Sequence, residues 1–465
     1  MTHVPPDLLQ RLTLHRQEHV LTGWDDLSTA ERVELVDQLS EIALDELQTL
    51  YEQKDEPQAI LPPRERIGPI LVDPVDPPPA EWERGEEALR RGEVAALVVA
   101  GGQGTRLGFD KPKGMFPVGP VSGASLFQLH AEKVLALSKR YGKPVPFLVM
   151  TSPATHSDTE AYFRDLNFFG LDPADVFFFQ QGTMPAVDLA TGQLLLEQPG
   201  RLCLSPNGHG GTLTALADSG LLTDLAARGV QHVFYFQVDN PLVKVCDPGF
   251  VGRHIARGSE ASSKVVFKDK PEERVGVLAE VDGRCGIIEY SDMPAEMASE
   301  RAADGNLLFR AGSPAIHLFS VPFLRRVTTR GTGLKYHLAR KKVPHFDPAS
   351  GVGVQPQREN AIKFELFVFD ALPMADRWLV VETRREEEFA PLKNATGADS
   401  PETVRQAISR LQAGWLERVG VEVERDRTGN PAHPIEVEAG FALDADELAA
   451  KLPHGFAVTG PTHLR

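Results

Sequence analysis

Four short runs of apolar residues, rich in valine, alternate along this chain with stretches of helical periodicity. The first run, VAALVVA at residues 94–100, is apolar at every position, which is typical of a strand buried on both faces of a parallel sheet. The later runs lie at residues 145–151, 176–180 and 232–238, and the helical patterns lie at residues 125–141, 155–168 and 213–228. Because strands that alternate with helices form βαβ units, the sequence predicts an α/β fold with a doubly wound sheet.

The segments outside this alternation have other patterns. Residues 7–52 show helical periodicity, and seven prolines between Pro62 and Pro79 predict an extended strap, since proline removes backbone donors. From about residue 262 the sequence becomes strand-rich, which indicates a partly antiparallel extension of the same sheet. We therefore predict three domains: a helical arm with its strap over residues 1–90, a main α/β domain over residues 91–394 and a small C-terminal lobe over residues 395–465.

Composition argues against several classes of protein. Hydrophobic residues make up 42% of the 465 positions and charged residues 25%, which is ordinary for a folded globular chain. No run approaches the roughly 18 apolar residues of a membrane span, and no apolar signal core opens the chain. The formal net charge of −16 argues against nucleic acid as a partner. Three cysteines (Cys203, Cys246 and Cys285) are too few for a disulfide framework and fit no zinc motif. We therefore expect a cytoplasmic protein without a membrane or nucleic-acid partner.

A glycine-rich segment, AGGQGTRLG at residues 100–108, follows the first predicted strand. In an open α/β sheet, ligands bind beyond the carboxyl ends of the strands, where this loop would lie. Its amides can approach phosphate oxygens closely, because glycine has no Cβ. A P-loop would end in Gly-Lys-Ser/Thr, and a dinucleotide fingerprint would need glycine where Leu107 stands. The segment matches neither pattern.

The glycine-rich segment, together with PKGM at residues 112–115, resembles the signature of the UTP-dependent sugar-1-phosphate uridylyltransferases. The closest likeness is to the eukaryotic UDP-N-acetylhexosamine pyrophosphorylases, and it extends from the proline strap to Asn394. The remaining motifs follow in the order LFQLHAEK, FFQQGTMPA, PNGHGG, QVDNPLVKVCDP, KVV, VGV, EYS, IKFELFVFD and EEEFAPLKNA. So many motifs in one order make a chance match negligible.

The resemblance implies a fold and a reaction. The fold is a doubly wound mixed sheet, Rossmann-like with a GT-A-like core, in which residues 91–394 are the catalytic nucleotidyltransferase domain. The reaction forms a UDP-sugar and pyrophosphate from UTP and a sugar-1-phosphate, by in-line attack of the sugar phosphate on the α-phosphorus. Such a transfer needs no nucleophilic side chain, so catalysis consists of positioning the substrates and neutralising phosphate charge.

The resemblance also implies which residues serve that chemistry. Arg106, Lys113 and Lys393 are the expected catalytic cations, whereas Lys111 departs from the family pattern and is interpreted as a bystander. Gln181 and Gly208 are the expected contacts to uracil, because an amide and an open backbone can pair with its polar edge. The full set expected at UTP is Ala100, Gly101, Gly102, Gly104, Lys113, Gln181, Gly208, Asp239 and Lys363.

Asp239 ends the apolar strand sequence HVFYFQVDN. A carboxylate at a strand end suits Mg²⁺, which takes one or two carboxylates together with phosphate oxygens. We therefore predict Mg²⁺ as the cofactor and Asp239 as its protein ligand. The alternative is an aspartate that only caps local structure.

The predicted sugar pocket departs from the acetylhexosamine pattern. His209 and Ser313 stand where the resemblance leads us to expect asparagine, and the His209 context is more similar to UDP-glucose and broad UDP-sugar pyrophosphorylases. Gly276 and the pair Glu289-Tyr290 match the acetylhexosamine pattern. The expected sugar contacts are His209, Gly276, Glu289, Tyr290, Ser313 and Lys393.

Three functions stay open at the level of sequence. N-acetylglucosamine-1-phosphate is the expected acceptor, on the overall resemblance. Glucose-1-phosphate, or a broad range of sugar phosphates, is the alternative that His209 and Ser313 favour. A protein that binds nucleotide sugars without turnover is a third hypothesis. The intact charged set argues against it: Arg106, Lys113, Asp239 and Lys393.

Overall fold

The computed structural model describes residues 3–55, 61–329 and 333–465. Two compact units can be distinguished, each built from three separate segments of the chain. The smaller unit comprises Met1–Ile60, Gln181–Gly211 and Gly333–Asp370, and the larger unit comprises Leu61–Gln180, Thr212–Thr332 and Ala371–Arg465. The three domains predicted from the sequence are instead consecutive stretches of the chain, each with a separate role. That division stays a prediction.

An 11-stranded mixed sheet forms the centre of the larger unit. Its parallel part consists of four adjacent strands, in the order His232–Gln237, Val94–Val99, Phe147–Thr151 and Val176–Gln180. Every residue of the second and third strands in this order is buried, as expected where both faces are covered. The four predicted strands are therefore confirmed, with bounds that shift by at most two residues.

The other part of the sheet is largely antiparallel. His317–Ser320 lies antiparallel between His232–Gln237 and Ala261–Phe267, and Trp378–Glu382 runs parallel to Ala261–Phe267. The remaining strands of this sheet are Ile67–Pro69, Val277–Val281, Arg284–Ile288 and Ala311–Gly312. The predicted antiparallel extension is confirmed, and with it the doubly wound mixed sheet.

Helices cover the strands of the larger unit. Ser125 begins one of them by accepting a hydrogen bond from the Gln128 amide, a usual N-cap arrangement. The helix predicted over residues 213–228 is interrupted at Ser219-Gly220 and forms two helices instead. The helices are Pro79–Arg91, Leu126–Tyr141, His156–Asp165, Gly211–Asp218 (whose first residue is assigned to the smaller unit), Leu221–Ala227, Pro248–Ala256, Ala295–Ala298, Val321–Thr328, Arg385–Glu388, Pro401–Arg418 and Ala445–Lys451.

Two of these helices approach each other through glycine. A Cβ on Gly85 would overlap the carbonyl oxygen of Pro248, and a Cβ on Gly252 would overlap the carbonyl oxygen of Glu81. Helices Pro79–Arg91 and Pro248–Ala256 therefore pack backbone against backbone at this crossing.

The C-terminal part of the larger unit has a small core of its own. Helix Pro401–Arg418 packs on the parallel strand pair Ile435–Val437 and Thr462–Leu464. The buried carboxylate of Glu436 accepts hydrogen bonds from the amides of Val121 and Ser122, both at 2.7 Å. The lobe is thereby tied to the turn that precedes helix Leu126–Tyr141.

The smaller unit packs helices on short sheets. The helical periodicity predicted over residues 7–52 is confirmed as three helices, and Ser28 and Glu31 form a capping box at the start of the second. Leu12, Leu35 and Leu39 of the arm share a core with Leu196 and Phe364. The helices are Pro6–Leu14, Thr29–Glu41 and Leu44–Glu52, and the strands are Thr183–Pro185, Val187–Asp188, Leu196–Gln198, Arg201–Leu202, Leu204–Pro206, His337–Lys341, His345–Asp347, Val352–Val354 and Ala361–Glu365.

Among the helices in the described ranges, none combines the length and the apolar character needed to cross a membrane.

Candidate functional site

The glycine-rich loop leaves the carboxyl end of strand Val94–Val99, in the middle of the parallel part of the sheet. The Gly104 amide donates to the Lys111 carbonyl at 2.9 Å, and the Lys113 amide donates to the Gly102 carbonyl at 3.0 Å. These bonds close the loop and hold the backbone of Lys113 next to its beginning. The position agrees with the ligand-binding edge of an open α/β sheet.

Two predicted residues form an ion pair at this edge. The Lys113 ammonium lies 2.9 Å from a carboxylate oxygen of Asp239, and the two side chains are 18% and 21% exposed. Asp239 follows strand His232–Gln237, which pairs in parallel with Val94–Val99. The structure thus brings together a cation and a carboxylate that are 126 residues apart in sequence, and both stay accessible to a ligand.

The backbone next to Lys393 lies at the same edge of the sheet. The amide of Leu392 donates to the Asp239 carbonyl oxygen at 2.8 Å, and the Lys393 amide donates to the Asp399 carbonyl at 2.7 Å. The Lys393 side chain is exposed, as is that of Arg106 in the short turn Thr105–Leu107. The larger unit therefore carries all three predicted catalytic cations, Arg106, Lys113 and Lys393, on loops at the carboxyl ends of parallel strands.

Asp239 is the residue at this edge that is predicted to hold Mg²⁺. Among the residues that the structure describes, no three histidine, cysteine, aspartate or glutamate side chains lie close enough to hold a metal ion. Asp239 offers one partly exposed carboxylate, with Lys113 on one oxygen. Mg²⁺ keeps water and phosphate ligands when the protein supplies a single carboxylate. The donor set therefore fits Mg²⁺ that enters with nucleotide phosphates, with Asp239 as its one protein ligand.

Four of the predicted sugar contacts lie together in the larger unit. The Ser313 amide donates to the Gly276 carbonyl at 2.9 Å, and a Cβ on Gly276 would lie 2.8 Å from a carboxylate oxygen of Glu289. Tyr290, the next residue, is 49% exposed. This cluster combines an exposed ring with a carboxylate that can accept hydrogen bonds from hydroxyl groups.

The remaining predicted contacts lie in the smaller unit. Gly208 has a φ of +84°, and a Cβ there would lie 2.5 Å from the Leu366 carbonyl oxygen. The Leu366 amide donates to the Asn207 carbonyl at 2.7 Å, and the Asn207 amide donates to the Gly182 carbonyl at 3.0 Å. The buried Gln181 precedes this junction, and Lys363 lies half-buried on strand Ala361–Glu365. The structure therefore brings the predicted uracil contacts onto adjoining backbone segments.

His209 has a local packing role in addition to any contact with substrate. Its Nδ1 accepts a hydrogen bond from the Val368 amide at 3.2 Å, and its ring lies beside those of Phe367 and Phe369. Burial, together with the nearby His337, lowers the pKa of His209 to about 4. The imidazole is therefore neutral near pH 7, with its proton on Nε2, and can offer a ligand a hydrogen bond but no positive charge.

Lys133 is a residue of this region that the sequence did not single out. Its ammonium donates to the carbonyl oxygens of Pro241 and Val243, in the segment that follows Asp239. Burial lowers the pKa of Lys133 to about 8, although the charge of Glu388 opposes that shift. Lys133 belongs to the motif LFQLHAEK, and the signal for it in the sequence was its position about one helical turn after the buried His130.

Comparison with known proteins agrees with this geometry. The family model described as UTP–glucose-1-phosphate uridylyltransferase matches residues 61–411. A UDP-N-acetylhexosamine pyrophosphorylase-like protein 1 of Xenopus tropicalis is 40% identical, over 91% of this chain and 87% of that protein. The UDP-N-acetylglucosamine pyrophosphorylase of Saccharomyces cerevisiae is 36% identical, over 88% of this chain and 90% of that protein.

A solved structure shares the fold as well. The uridine diphosphate N-acetylglucosamine pyrophosphorylase of Trypanosoma brucei, determined in complex with an inhibitor, superposes with a TM-score of 0.81. The two sequences are 27% identical, and the match covers 100% of this chain and 99% of that one.

The mixed sheet and the charged loops at its carboxyl edge define a nucleotidyltransferase. The chain belongs to the UTP–glucose-1-phosphate uridylyltransferase family. The predicted reaction class, transfer of a uridylyl group from UTP to a sugar-1-phosphate, is confirmed.

Proposed function

We propose that this enzyme forms UDP-N-acetylglucosamine and pyrophosphate from UTP and N-acetylglucosamine-1-phosphate, with Mg²⁺ as its cofactor. The observation that carries the proposal is the Lys113–Asp239 ion pair of 2.9 Å beside the glycine-rich loop. The acceptor is chosen because relatives that are 36–40% identical over most of the chain bear names with that sugar or with acetylhexosamine.

The transfer exchanges one phosphorus–oxygen bond for another. An oxygen of the sugar phosphate bonds to the α-phosphorus of UTP while the bond from that phosphorus to the β-bridging oxygen breaks. The electron pair of the broken bond leaves with pyrophosphate, so no proton needs to be removed from the attacking phosphate. The protein's contribution is to align the two phosphates and to neutralise the charge between them.

Each residue at the carboxyl edge has a role in that scheme. Lys113 donates from its ammonium to the phosphates of UTP, and Arg106 lies on the same glycine-rich loop as a second cation. Asp239 holds Mg²⁺ that arrives with the nucleotide, and the bound Mg²⁺ neutralises phosphate charge. Lys393 contacts the sugar phosphate. The roles of Gln181, Gly208 and Lys363 at UTP, and of the sugar-pocket residues, stay predictions.

Glucose-1-phosphate is the second candidate acceptor. Two observations favour it: His209 and Ser313 replace the expected asparagines, and the matching family model bears the name of that sugar. We also propose a cytoplasmic location, because Cys203, Cys246 and Cys285 are all free thiols, as is usual in a reducing compartment.

One assay separates these possibilities. Purified protein is incubated with UTP, Mg²⁺ and each of several sugar-1-phosphates, and the release of pyrophosphate is followed. We expect the highest kcat/KM with N-acetylglucosamine-1-phosphate. A higher value with glucose-1-phosphate would replace the proposed acceptor, and absence of release with every sugar would refute the proposed function.

A further inference from the structure

Asn240, the residue after Asp239, connects two segments that are far apart in sequence. It is 2% exposed. Its Nδ2 donates to the Glu388 carbonyl oxygen at 2.7 Å, and its Oδ1 accepts from the Ala390 amide at 3.1 Å. One partner is a carbonyl and the other an N–H group, so these contacts fix which way the amide faces. A single buried side chain therefore ties the Asp239 segment to residues 388–390.

The tie continues toward Lys393. The Leu392 amide donates to the Asp239 carbonyl oxygen at 2.8 Å, and Pro391 has no N–H group to donate. Asn240 thus supplies, from its side chain, the bonds that a neighbouring strand would supply in a regular sheet. Three hydrogen bonds in all hold residues 388–392 along Asp239-Asn240, and the next residue is Lys393.

The far end of the same segment is fixed independently. The carboxylate of Glu388 is 2% exposed and accepts from Lys264 Nζ, from Thr383 Oγ1 at 2.8 Å and from the Lys244 amide at 3.3 Å. This end is therefore anchored whether or not Asn240 is present. Between that anchor and Lys393, the bonds to Asp239 and Asn240 hold the backbone at residues 390 and 392. The Phe389 amide also donates to the Arg385 carbonyl at 2.9 Å, and the side chain of Leu392 is buried.

We propose that Asn240 is a positioning residue that sets the distance between Lys393 and Asp239. The inference rests on the proposed function, in which Lys393 contacts the sugar phosphate and Asp239 holds the metal of UTP. Alignment of two reacting phosphates is sensitive to displacements of about 1 Å. The glycine-rich loop follows another strand, Val94–Val99. Loss of Asn240 should therefore displace Lys393, which contacts the sugar phosphate, more than it displaces the loop that binds UTP.

The test is Asn240→Asp, which keeps the shape and removes the N–H donor. The new carboxylate oxygen faces the Glu388 carbonyl oxygen and repels it. We expect the KM for N-acetylglucosamine-1-phosphate at about pH 8 to rise about tenfold or more, and the KM for UTP to change less than about twofold.

The comparison of the two KM values gives the decisive readout. Asn360→Asp is the matched control, since the Asn360 amide also binds a backbone N–H and carbonyl, those of Val343 at 2.8 and 3.0 Å. That variant should not show the split between the two KM values.

The outcomes are distinct. If Asn240→Asp raises both KM values equally, or loses only thermal stability, Asn240 is structural and the inference is wrong. If Asn240→Asp does not fold, Asn240→Ser, which cannot span both partners, must show the same split in KM values, and equal effects on both substrates would overturn the inference. If the wild type releases no pyrophosphate from any sugar phosphate, the proposed function itself fails and the inference falls with it. When another sugar phosphate is the preferred acceptor, the same measurements are made with that sugar.

Discussion

In the ion pair between Lys113 and Asp239, the ammonium can bind a phosphate of UTP and the carboxylate can bind Mg²⁺. Binding of UTP with its metal would therefore separate the two groups. In the structure the two groups satisfy each other at 2.9 Å, each about a fifth exposed. Because both side chains keep some contact with solvent, the pair contributes less to the free energy of folding than a fully buried ion pair would. Its two members are therefore available for phosphate and metal.

Replacement of Lys113 by alanine should separate activity from stability. We expect Lys113→Ala to lower kcat/KM for UTP by about 10²–10³, the usual effect of removing one group that stabilises developing charge. The melting temperature should change little, because the ion pair is accessible. Lys111→Ala, an exposed residue of the same loop, is the control and should keep nearly full activity. Equal losses of activity and of stability in Lys113→Ala would assign this lysine to structure.

Asp239→Asn tests the metal. An amide oxygen is a weaker ligand for Mg²⁺ than a carboxylate oxygen, so the Mg²⁺ concentration for half-maximal pyrophosphate release should rise about tenfold. Asp110→Asn, an exposed carboxylate on the glycine-rich loop, serves as the control for net charge. An unchanged Mg²⁺ titration would contradict the role of Asp239 as a ligand.

For individual residues, the sequence predicted which residue types form the site better than it predicted the contacts that they make. Motifs placed Lys113 and Asp239 on loops after apolar strands, and the order of parallel strands then brought them together. The contacts of Asn240 with residues 388–390 were out of reach, because no periodic pattern indicates a side chain that bonds a segment about 150 residues later. His209 was predicted as a residue near the sugar, and its bond to Val368 depends on how two loops pack.

Among the elements, the crossing of helices Pro79–Arg91 and Pro248–Ala256 tolerates no side chain at its contact point. We expect Gly252→Ala to lower the free energy of unfolding by about 1–3 kcal/mol or more, because its Cβ would overlap the Glu81 carbonyl oxygen. Urea unfolding at pH 7 measures the change.

A glycine-to-alanine substitution at Gly414 should raise the free energy of unfolding instead of lowering it. Gly414 lies in helix Pro401–Arg418, and a Cβ there would meet no atom within 4 Å. Gly414→Ala should therefore raise stability by about 0.5–1 kcal/mol, since alanine favours a helix over glycine. Similar effects in both variants would contradict the close backbone contact at Gly252.

The elements that the sequence missed have physical explanations. Prolines 77–79 indicated a strap, yet Pro79 is the first residue of a helix, a position where its missing N–H group costs nothing. The helical periodicity of residues 213–228 continues through Gly220 in the sequence, but the helix itself is interrupted there. Buried strands were predicted well because a mostly apolar run of five to seven residues, bounded by turns, is typical of a strand in a folded chain.

For the whole molecule, buried histidines should make stability depend on pH. Burial lowers the pKa of His130 to about 3 and that of His232 to about 4, and it lowers the pKa of His254 as well. Their usual pKa is about 6.5, so between about pH 6.5 and 4 the unfolded chain binds protons that the folded chain does not. The free energy of unfolding should therefore fall as the pH falls through this range, by up to about 1.4 kcal/mol per pH unit for each group.

Urea unfolding at about pH 7 and about pH 5 measures this dependence. His130→Gln should show a smaller difference between the two pH values than the wild type, because it removes one of the groups. His454→Gln, at an exposed position, should leave the difference unchanged. An undiminished pH dependence in His130→Gln would contradict a neutral, buried His130.

The division of each unit among three chain segments has a consequence for synthesis on the ribosome. Many proteins complete their N-terminal domain while the rest is still being translated, at roughly 5–20 residues per second. Here the smaller unit needs residues up to Asp370, and the larger unit ends only at Arg465. The nascent chain must therefore carry apolar strands such as Val94–Val99 in incomplete surroundings for most of its elongation. A chain that ended before residue 436 would also lack the Glu436 carboxylate that accepts hydrogen bonds from the turn at Val121-Ser122.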